Sequence, residues 1–574
     1  MADRWTNFEV VYDLEDATAK NDAQFSTTSN ISQGNVDDLV EDDITGSNFI
    51  TLEQNHSVLD GSLTEYSSDR IVYYSSTMSD ENGEFSTNPT ITVNFSTLHS
   101  SYALTLYFLP EHPIEMRVTW KQFGIIQYSK IFEVNADKYV VNKDVPLYDE
   151  LVIEFIKTLP NHNVKLNHLQ FGVTLLWDEN NIKNGTVVQE RNRLSDKISI
   201  NTLNFEVIDV TNDMNFGNSE GMYKYYQNAQ SIKPYEIING ERISLGRFYL
   251  DKFSSDNNLG KMSAVSVIGL LDTIQFNEGS IYNGVRAGVL LEQIFGIAGI
   301  EDYEIDTDTY NQLLYGTLKP MSCRNALQAI LFACNSIVDT LDPDTVKIKK
   351  SSKSIVGAIT RDVKFSTKVT EAEYVTSVEL EYTTLTASND LTEALKGDYP
   401  AGTHTVIFTK PFRNLTINTG TLDEVSTYYA VFTIPQDSNV IISGYGYIED
   451  TTKLSKQREL IDPGKRLLTK RFSTSLCSAS RATELLNILL DYYTTNVITI
   501  DVKYLADDIQ MDSLIQIENN RKEFNNYIGQ YTKRTFDLTG GFIDNASLLG
   551  YFDISDTQIK AGNGELFADD NRII

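Results

Sequence analysis

The stretch SIKPYEIINGERISLGRFYLDKF, Ser231 to Phe253, decides the fold. Tyr235 and Ile237 run up to Asn239-Gly240, the dipeptide best suited to a two-residue turn with positive φ, and Ile243, Leu245, Phe248 and Leu250 run back. This alternation predicts an antiparallel hairpin whose turn sets the register. A second turn at Ser254 to Gly260 returns the chain as Met262, Ala264, Val265, Val267 and Ile268, after which Gly269-Leu270-Leu271-Asp272 reads as a short helix. Upstream, Ile198, Ile200, Leu203, Phe205, Val207 and Val210 mark a further half-buried strand. From Lys197 to Phe276 the expectation is a small, strongly twisted antiparallel sheet with barrel-like closure.

The order strand, polar loop, hairpin and then SAVSVIGLLDTIQF (Ser263 to Phe276) resembles the baseplate hub and tail-tip proteins of phages and of phage-derived contractile particles of Gram-positive bacteria. The likeness runs over roughly residues 165 to 550. Towards its end, VITIDVKYLADDIQMDSLIQIENN (Val497 to Asn520) and YIGQYTKRTFDLTGGFIDNASLLGY (Tyr527 to Tyr551) look like the closing barrel of that family. The resemblance implies a non-enzymatic structural protein without cofactors. Its fold would be mainly β with short helices (α+β), with a jelly-roll-like β-sandwich ahead of a two-barrel hub that carries an inserted β-subdomain. Three such subunits present six barrels and match a threefold tip to a sixfold tail tube. The implied partners are two further copies, the tail tube, distal tail or baseplate proteins, the tape-measure protein and a tip spike. The implied place is the virion tail, assembled in the host bacterial cytoplasm, with DNA passing through a channel rather than being bound specifically.

Composition bounds the alternatives. The 574 residues are too many for one core and suit three or four domains. Acidic residues number 79 against 48 basic ones, a net charge of -31, which argues against a protein that neutralises phosphates. Solubility explains such a charge, and so does a negative wall along which DNA slides. Three cysteines, Cys323, Cys334 and Cys477, match no metal spacing and read as buried thiols from a reducing cytoplasm. Met1 to Trp5 opens no apolar leader, and the most apolar window, Ala326 to Val338, is interrupted by Gln328, Asn335 and Ser336, so no membrane segment is expected.

Taken in order, residues 1–48 read as an acidic arm with one strand at Phe8 to Tyr12. Residues 49–173 read as a β-sandwich of galactose-binding-like type, with "LDGS" at Leu59 to Ser62 and "ENGEF" at Glu81 to Phe85 ahead of its strong strands. Its strands are expected at Ile91 to Phe95, Ala103 to Leu109, Ile114 to Trp120, Ile125 to Val134 and Leu151 to Ile156, and Ile114, Met116, Val118 and Trp120 share one face, which makes Trp120 a core residue rather than a sugar-stacking platform. Residues 174–196 read as a polar connector and 197–344 as the first barrel with a helical subdomain, helices being expected at Ala287 to Ala298 and from Ser322, as N-cap, to Asn335. The second barrel is expected over 345–389 and 453–550, with a strand at Tyr374 to Tyr382 and a helix at Ser480 to Tyr492. It is interrupted by an inserted β-subdomain at 390–452, with strands expected at His404 to Lys410, Leu415 to Ile417, Thr427 to Ile434 and Val440 to Ile448, and 551–574 form an acidic tail.

No catalytic, cofactor-binding or metal-binding residue is nominated. Gly217-Asn218-Ser219-Glu220-Gly221 has the form of a nucleophile elbow, but only His404 lies downstream, in a predicted strand, so the match reads as chance. Asp306 and Asp308 begin like a calcium loop, yet Asn311 and Thr317 stand where glycine and a closing glutamate are needed. His56, His99, His112, His162, His168 and His404 show no metal spacing. Gly444-Tyr445-Gly446 lacks the helix of a phosphate cradle and reads as a bend. The rival functions are a receptor-recognition protein holding cell-wall saccharide in the sandwich and a peptidoglycan hydrolase, for which the chain leaves no room after the hub.

Overall fold

A computed structural model of the chain describes residues 4–30, 35–40, 49–50, 65–66, 72–109, 112–210, 212, 214–218, 226, 230–256, 258–352, 354–459, 461, 464–506 and 511–553. His56, Leu59 to Ser62, Ser219 to Gly221 and the tail from residue 554 lie outside the described residues. Strands hold 56% of the described residues and helices 13%, so the protein is mainly β with short helices, as expected. It forms two units, one of Val11–Leu176 and Val210–Ser231, the other of Met1–Val10, Trp177–Asp209 and Ile232–Ile574.

The smaller unit takes in most of the segment read as an acidic arm. Strand β1 (Thr6–Glu15) alternates, with Phe8, Val10, Tyr12 and Leu14 buried, and extends past the strand expected at Phe8 to Tyr12. Helix α1 (Ala17–Asp22) follows, capped by Asp16, whose Oδ1 accepts the Thr18 and Ala19 N–H groups. Strand β2 (Gln24–Thr27) then pairs with β3 (Thr90–Phe108), Gln24 facing Asn94 and Thr27 facing Ile91. Acidic composition concealed this order, because the charges sit at caps and on outward phases.

The rest of this sheet is β4 (Glu115–Gln122), β5 (Ile125–Glu133) and β6 (Lys138–Lys157), running β3-β6-β4-β5, with strands Tyr73–Tyr74 and Lys165–Gln170 beyond β3. The runs Ile91 to Phe95 and Ala103 to Leu109, expected as two strands, belong to the single strand β3. Register shifts between Asn94 and Ala103 bend it against β6, so polar residues interrupt the alternation without ending the strand. Met116, Val118 and Trp120 pack with Leu104, Leu106, Ile153 and Phe155, and Trp120 has no exposed surface. Trp120→Ala should therefore cost about 3–5 kcal/mol, read as a lower urea midpoint for this unit's unfolding.

The larger unit is built on the hairpin around Asn239-Gly240. Asn239 and Gly240 have φ of 52° and 90°, the positive pair that the turn demands. In chain order its strands include β7 (Ile182–Glu190), β8 (Thr202–Ile208), β9 (Ser231–Ile238), β10 (Glu241–Ser244), β11 (Phe248–Asp256) and β12 (Leu259–Val265). Strand β9 pairs β10 from Ile238 opposite Glu241 to Tyr235 opposite Ser244. The return strand breaks between β10 and β11 at Gly246, φ 109°, where a side chain would meet the Thr340 carbonyl at 3.1 Å. Val267 and Ile268, expected to end a strand, instead open helix α2 (Val267–Thr273).

Four further helices follow: α3 (Ala287–Ala298), α4 (Thr307–Asn311), α5 (Cys323–Cys334) and α6 (Ala479–Thr495). Helix α3 has the predicted bounds, and α5 starts where Ser322 Oγ accepts the Asn325 N–H. Both end on a left-handed residue, Gly299 at φ 65° and Asn335 at φ 51°. Helices α2, α3, α5 and α6 share one core, to which Leu271, Leu291, Phe295, Leu327, Ile330, Leu485 and Leu489 all belong. The helices of the two expected barrels are thus inseparable in packing.

The remaining strands are β13 (Ile355–Ile359), β14 (Lys364–Glu371), β15 (Ser377–Tyr399), β16 (Ser438–Gln457), β17 (Ile498–Leu505), β18 (Leu514–Ile517), β19 (Tyr527–Asp537) and β20 (Ile543–Phe552). The strand expected to stop at Tyr382 is β15, which continues to Tyr399 paired with β16 throughout. Past Tyr382 it leaves the core, so apolar alternation stops while the threonines, such as Thr383 opposite Thr451, keep it extended. Strands Gly402–Ile407, Phe412–Ile417, Thr421–Val425 and Tyr429–Ile434 lie between β15 and β16, around Phe408, Leu415, Phe432, Ile434 and Ile442. Thr421–Val425 was not expected. Its sequence, TLDEV, offers two carboxylates and one large apolar side chain besides valine.

Strands β14-β17-β20-β19-β18-β13 are hydrogen-bonded in that order, and residues 360–363 join the two ends of the path. Strands β9-β11-β12-β8-β7 form the other half of the same sheet. The join is β7 against β19, Val187 facing Phe536 and Glu190 facing Lys533. Strand β7 lies within the segment read as a polar connector. Its inward phase is Ile182, Gly185, Val187 and Gln189, and a side chain at Gly185 would meet Leu538 Cδ1 at 2.7 Å. An inward glycine and an inward glutamine disguise a strand that the sheet cannot do without.

Candidate functional site

Among the described residues, no group of three or more His, Cys, Asp or Glu side chains could hold a metal. Asp306 caps α4, its carboxylate accepting the Thr309 N–H at 2.8 Å and hydroxyl at 2.6 Å, so the pattern that began like a calcium loop is a helix start. Thr317 bonds the hydroxyl of Tyr428, buried, at 2.7 Å. Gly444 to Gly446, read as a bend, lie inside β16, opposite Thr392 and Leu391 of β15. His112, His162 and His404 each place a ring nitrogen within 2.9 Å of a backbone carbonyl. The three thiols are buried, which pushes Cys334 up to about 12 and Cys477 up to about 11 and leaves them inert at neutral pH.

The concentration of charge that the fold does create lies along the β7–β19 join. Arg191, one residue past β7, donates from Nη2 to Asp339 Oδ1 at 2.7 Å. Lys349 Nζ stands 2.8 Å from both Asp339 Oδ2 and Asp512 Oδ2, linking the helical layer to the segment before β18. Burial alone would raise the Asp339 carboxyl, but Arg191 and Lys349 outweigh it and hold the group well below the ordinary carboxylate range. Within the strands, Arg534 on β19 donates from Nε to Asp544 on β20 at 2.6 Å, and both side chains are buried. The Tyr504 hydroxyl donates to the same carboxylate at 2.8 Å and pairs with the Tyr531 hydroxyl. The Arg534 guanidinium also lies over the Tyr531 and Phe536 rings, 4.7 Å from each centroid.

A cavity of about 360 Å³ opens beside this network, with Gln189, Leu245, Asp339, Lys349, Arg534 and Phe536 in its wall. Each of its buried cations already has a carboxylate, so the wall makes no demand for an anionic ligand. Gln189 donates to the Leu245 carbonyl at 3.0 Å and so ties β7 to the segment between β10 and β11. The chemistry here is cohesion, with ion pairs and hydrogen bonds holding strands of both halves in one register. None of these residues was nominated from the sequence, because the partners stand tens to hundreds of positions apart. A signal was present in phase: Arg534 shares the inward side with Phe536, and Asp544 with Ala546 and Leu548. A charged residue on a buried phase needs a partner.

Glu236, on β9, is a further buried acid. Burial pushes its carboxyl up to about 8, with Arg4 pulling the other way, so it is protonated at neutral pH.

No protein-family model matches the chain, and no curated protein matches it in sequence. Among solved structures, the 43 kDa tail protein of prophage MuSo2 from Shewanella oneidensis aligns at 10% identity over 65% of this chain and 94% of its own, with a TM-score of 0.37. The tail protein from Neisseria meningitidis MC58 aligns at 9% identity over 65% and 93%, TM-score 0.39. The family 32 carbohydrate-binding module of NanJ from C. perfringens, in complex with galactose, aligns at 10% identity over 29% and 99%, TM-score 0.18. Similarity of this size assigns no family to the chain.

Two outcomes are expected. Asp544→Ala strands the Arg534 guanidinium and should destabilise the larger unit by about 3–5 kcal/mol, measured by chemical denaturation. Glu236 binds a proton in the folded state that it gives up in the unfolded state, so its contribution is complete at acid pH and is lost as pH rises towards about 8. Glu236→Gln should remove that slope, read as thermal midpoints of the two proteins from pH 5 to pH 8.

Proposed function

We propose that the chain is a structural, non-enzymatic hub at the distal end of a phage tail or tail-like particle, acting as a homotrimer that adapts a sixfold tube to a threefold tip. The observation that carries this reading is the β7–β19 join. One subunit holds two multistranded halves in a single hydrogen-bonded sheet, and three such subunits offer six comparable elements around an axis. The shared helical core and the Arg191–Asp339–Lys349–Asp512 chain support it, since a platform that anchors other proteins must keep its halves from shifting. The hub resemblance of residues 165–550 supports it as well. The smaller unit and the strands between β15 and β16 are the regions assigned to tail, baseplate and tip partners. Surplus negative charge suits a conduit that DNA crosses without binding. No helix of the described residues is long and apolar enough to cross a membrane.

The saccharide reading loses its leading residue, because Trp120 is packed in the core. Electron microscopy of the purified protein, and of particles containing it, tests the hub. The expected images are threefold rings with a central opening, or density capping a sixfold tube. A dispersed monomer that never joins a tube would overturn the assignment.

A further inference from the structure

Strand β5 closes one side of the smaller unit's sheet. Among the described residues it is bonded only to β4, so its other edge is free from Ile125 to Glu133, a length of about 30 Å. Edges of this length are usually blunted by proline, by a bulge or by a charge that stands across them. Here the register shift against β4 lies at the turn end, between Trp120 and Lys121, and the pairing from Trp120 opposite Tyr128 to Glu115 opposite Glu133 is regular. The strand has no proline. Its lysine, Lys130, is drawn along the strand rather than across the edge, its Nζ lying 5.4 Å from the centre of the Phe132 ring.

The two faces of β5 differ. Ile131 stands opposite Arg117 and Ile126 opposite Lys121, and both isoleucines are exposed. Arg117 and Lys121 are committed to Glu154 and Glu150, at 2.5 Å and 2.6 Å, so this face offers apolar surface beside neutralised charge. Tyr128, Lys130 and Phe132 share the other phase, opposite Trp120, Val118 and Met116. There Lys130 lies over Phe132, and Lys143 Nζ, from β6, stands 4.7 Å from the centre of the Tyr128 ring. Among the described residues no carboxylate pairs with either lysine, and an aromatic face leaves a cation free to meet an anion. The charge is local: Arg117 to Lys143 holds five cations and two carboxylates, in a chain of net charge -31.

We propose that the free edge of β5 takes up an extended segment of another polypeptide in which carboxylate and apolar side chains alternate. The incoming backbone completes the hydrogen bonds that β5 lacks on that side. Successive side chains of a strand point to opposite faces. One row of the segment therefore meets Lys130 and Lys143, which carboxylates suit, and the other covers Ile126 and Ile131, which branched apolar side chains suit. A polyanion with no peptide backbone would satisfy the lysines and leave both the edge and the isoleucines uncovered. A single subunit presents this edge, so its failure and the failure of the hub assignment are separately visible.

The test uses the full chain and a fluorescein-labelled peptide in which four Glu alternate with four Val, so that the extended form carries its carboxylates on one face. By fluorescence anisotropy it should bind about tenfold or more tightly than a peptide of the same composition with the four Glu ahead of the four Val, and Lys130→Gln combined with Lys143→Gln should weaken it by about tenfold. In the unsubstituted protein the peptide should slow hydrogen exchange of residues 125–133 and leave α6 unchanged. No binding, equal affinity for the two peptides, equal affinity for polyphosphate, or protection that falls elsewhere than 125–133 would overturn the proposal. So would protection of 125–133 that rises with protein concentration in the absence of peptide, which marks a second copy of the chain as the occupant.

Discussion

The larger unit depends on a single pairing, β7 against β19. Strand β7 is bonded to β8 on one edge and to β19 on the other, so the strands of the hairpin-built half and of the C-terminal half meet through five residue pairs, from Thr186 opposite Asp537 to Glu190 opposite Lys533. Backbone bonds alone leave a strand free to slip, and a slip by one residue would turn its inward side chains out. Three features bar that movement. Gly185 leaves room only for Leu538 and Phe205. Gln189 is committed to the Leu245 carbonyl, and Arg191 is pinned to Asp339. Charge pairs of this kind, drawn from water, add little net stability but penalise any register that separates them.

The helical layer imposes a second constraint in the same direction. Helix α5 precedes β15 and α6 follows β16, yet both fill one core with α2 and α3. The long ribbon of β15 and β16 therefore starts and ends in a rigid seat, and its outer strands are held again where Tyr428 bonds Thr317. An excursion of this length would otherwise swing. Here it is fixed at its base by packing and higher up by a buried hydroxyl pair.

Much of this was legible. The Asn239-Gly240 turn, α3, α5 with its Ser322 cap, and the core role of Trp120 rest on local stereochemistry or on a clean period, and each is found where the sequence put it. Strand β7, the outer run of β15, β2 and the strand Thr421–Val425 were not legible. Each pairs through its backbone while its side chains are polar, small or exposed on both faces, so the alternation that marks a half-buried strand is missing. The charged network escaped for a different reason. Arg191 and Asp512 stand far in sequence from Asp339 and Lys349, and no local pattern sets these four apart from the many charges in solvent.

By itself the amino-acid sequence determined what short-range physics can enforce: turns that need positive φ, caps that satisfy helix N–H groups, and the inward face of strands with regular alternation. It also set the mainly β class and the large negative charge. Tertiary structure alone decided that the two halves are one sheet and that helices on either side of a long insertion share one core. Those outcomes turn on contacts between residues far apart in the chain. Such contacts follow from which backbone edges and which buried volumes meet, and no local pattern encodes them.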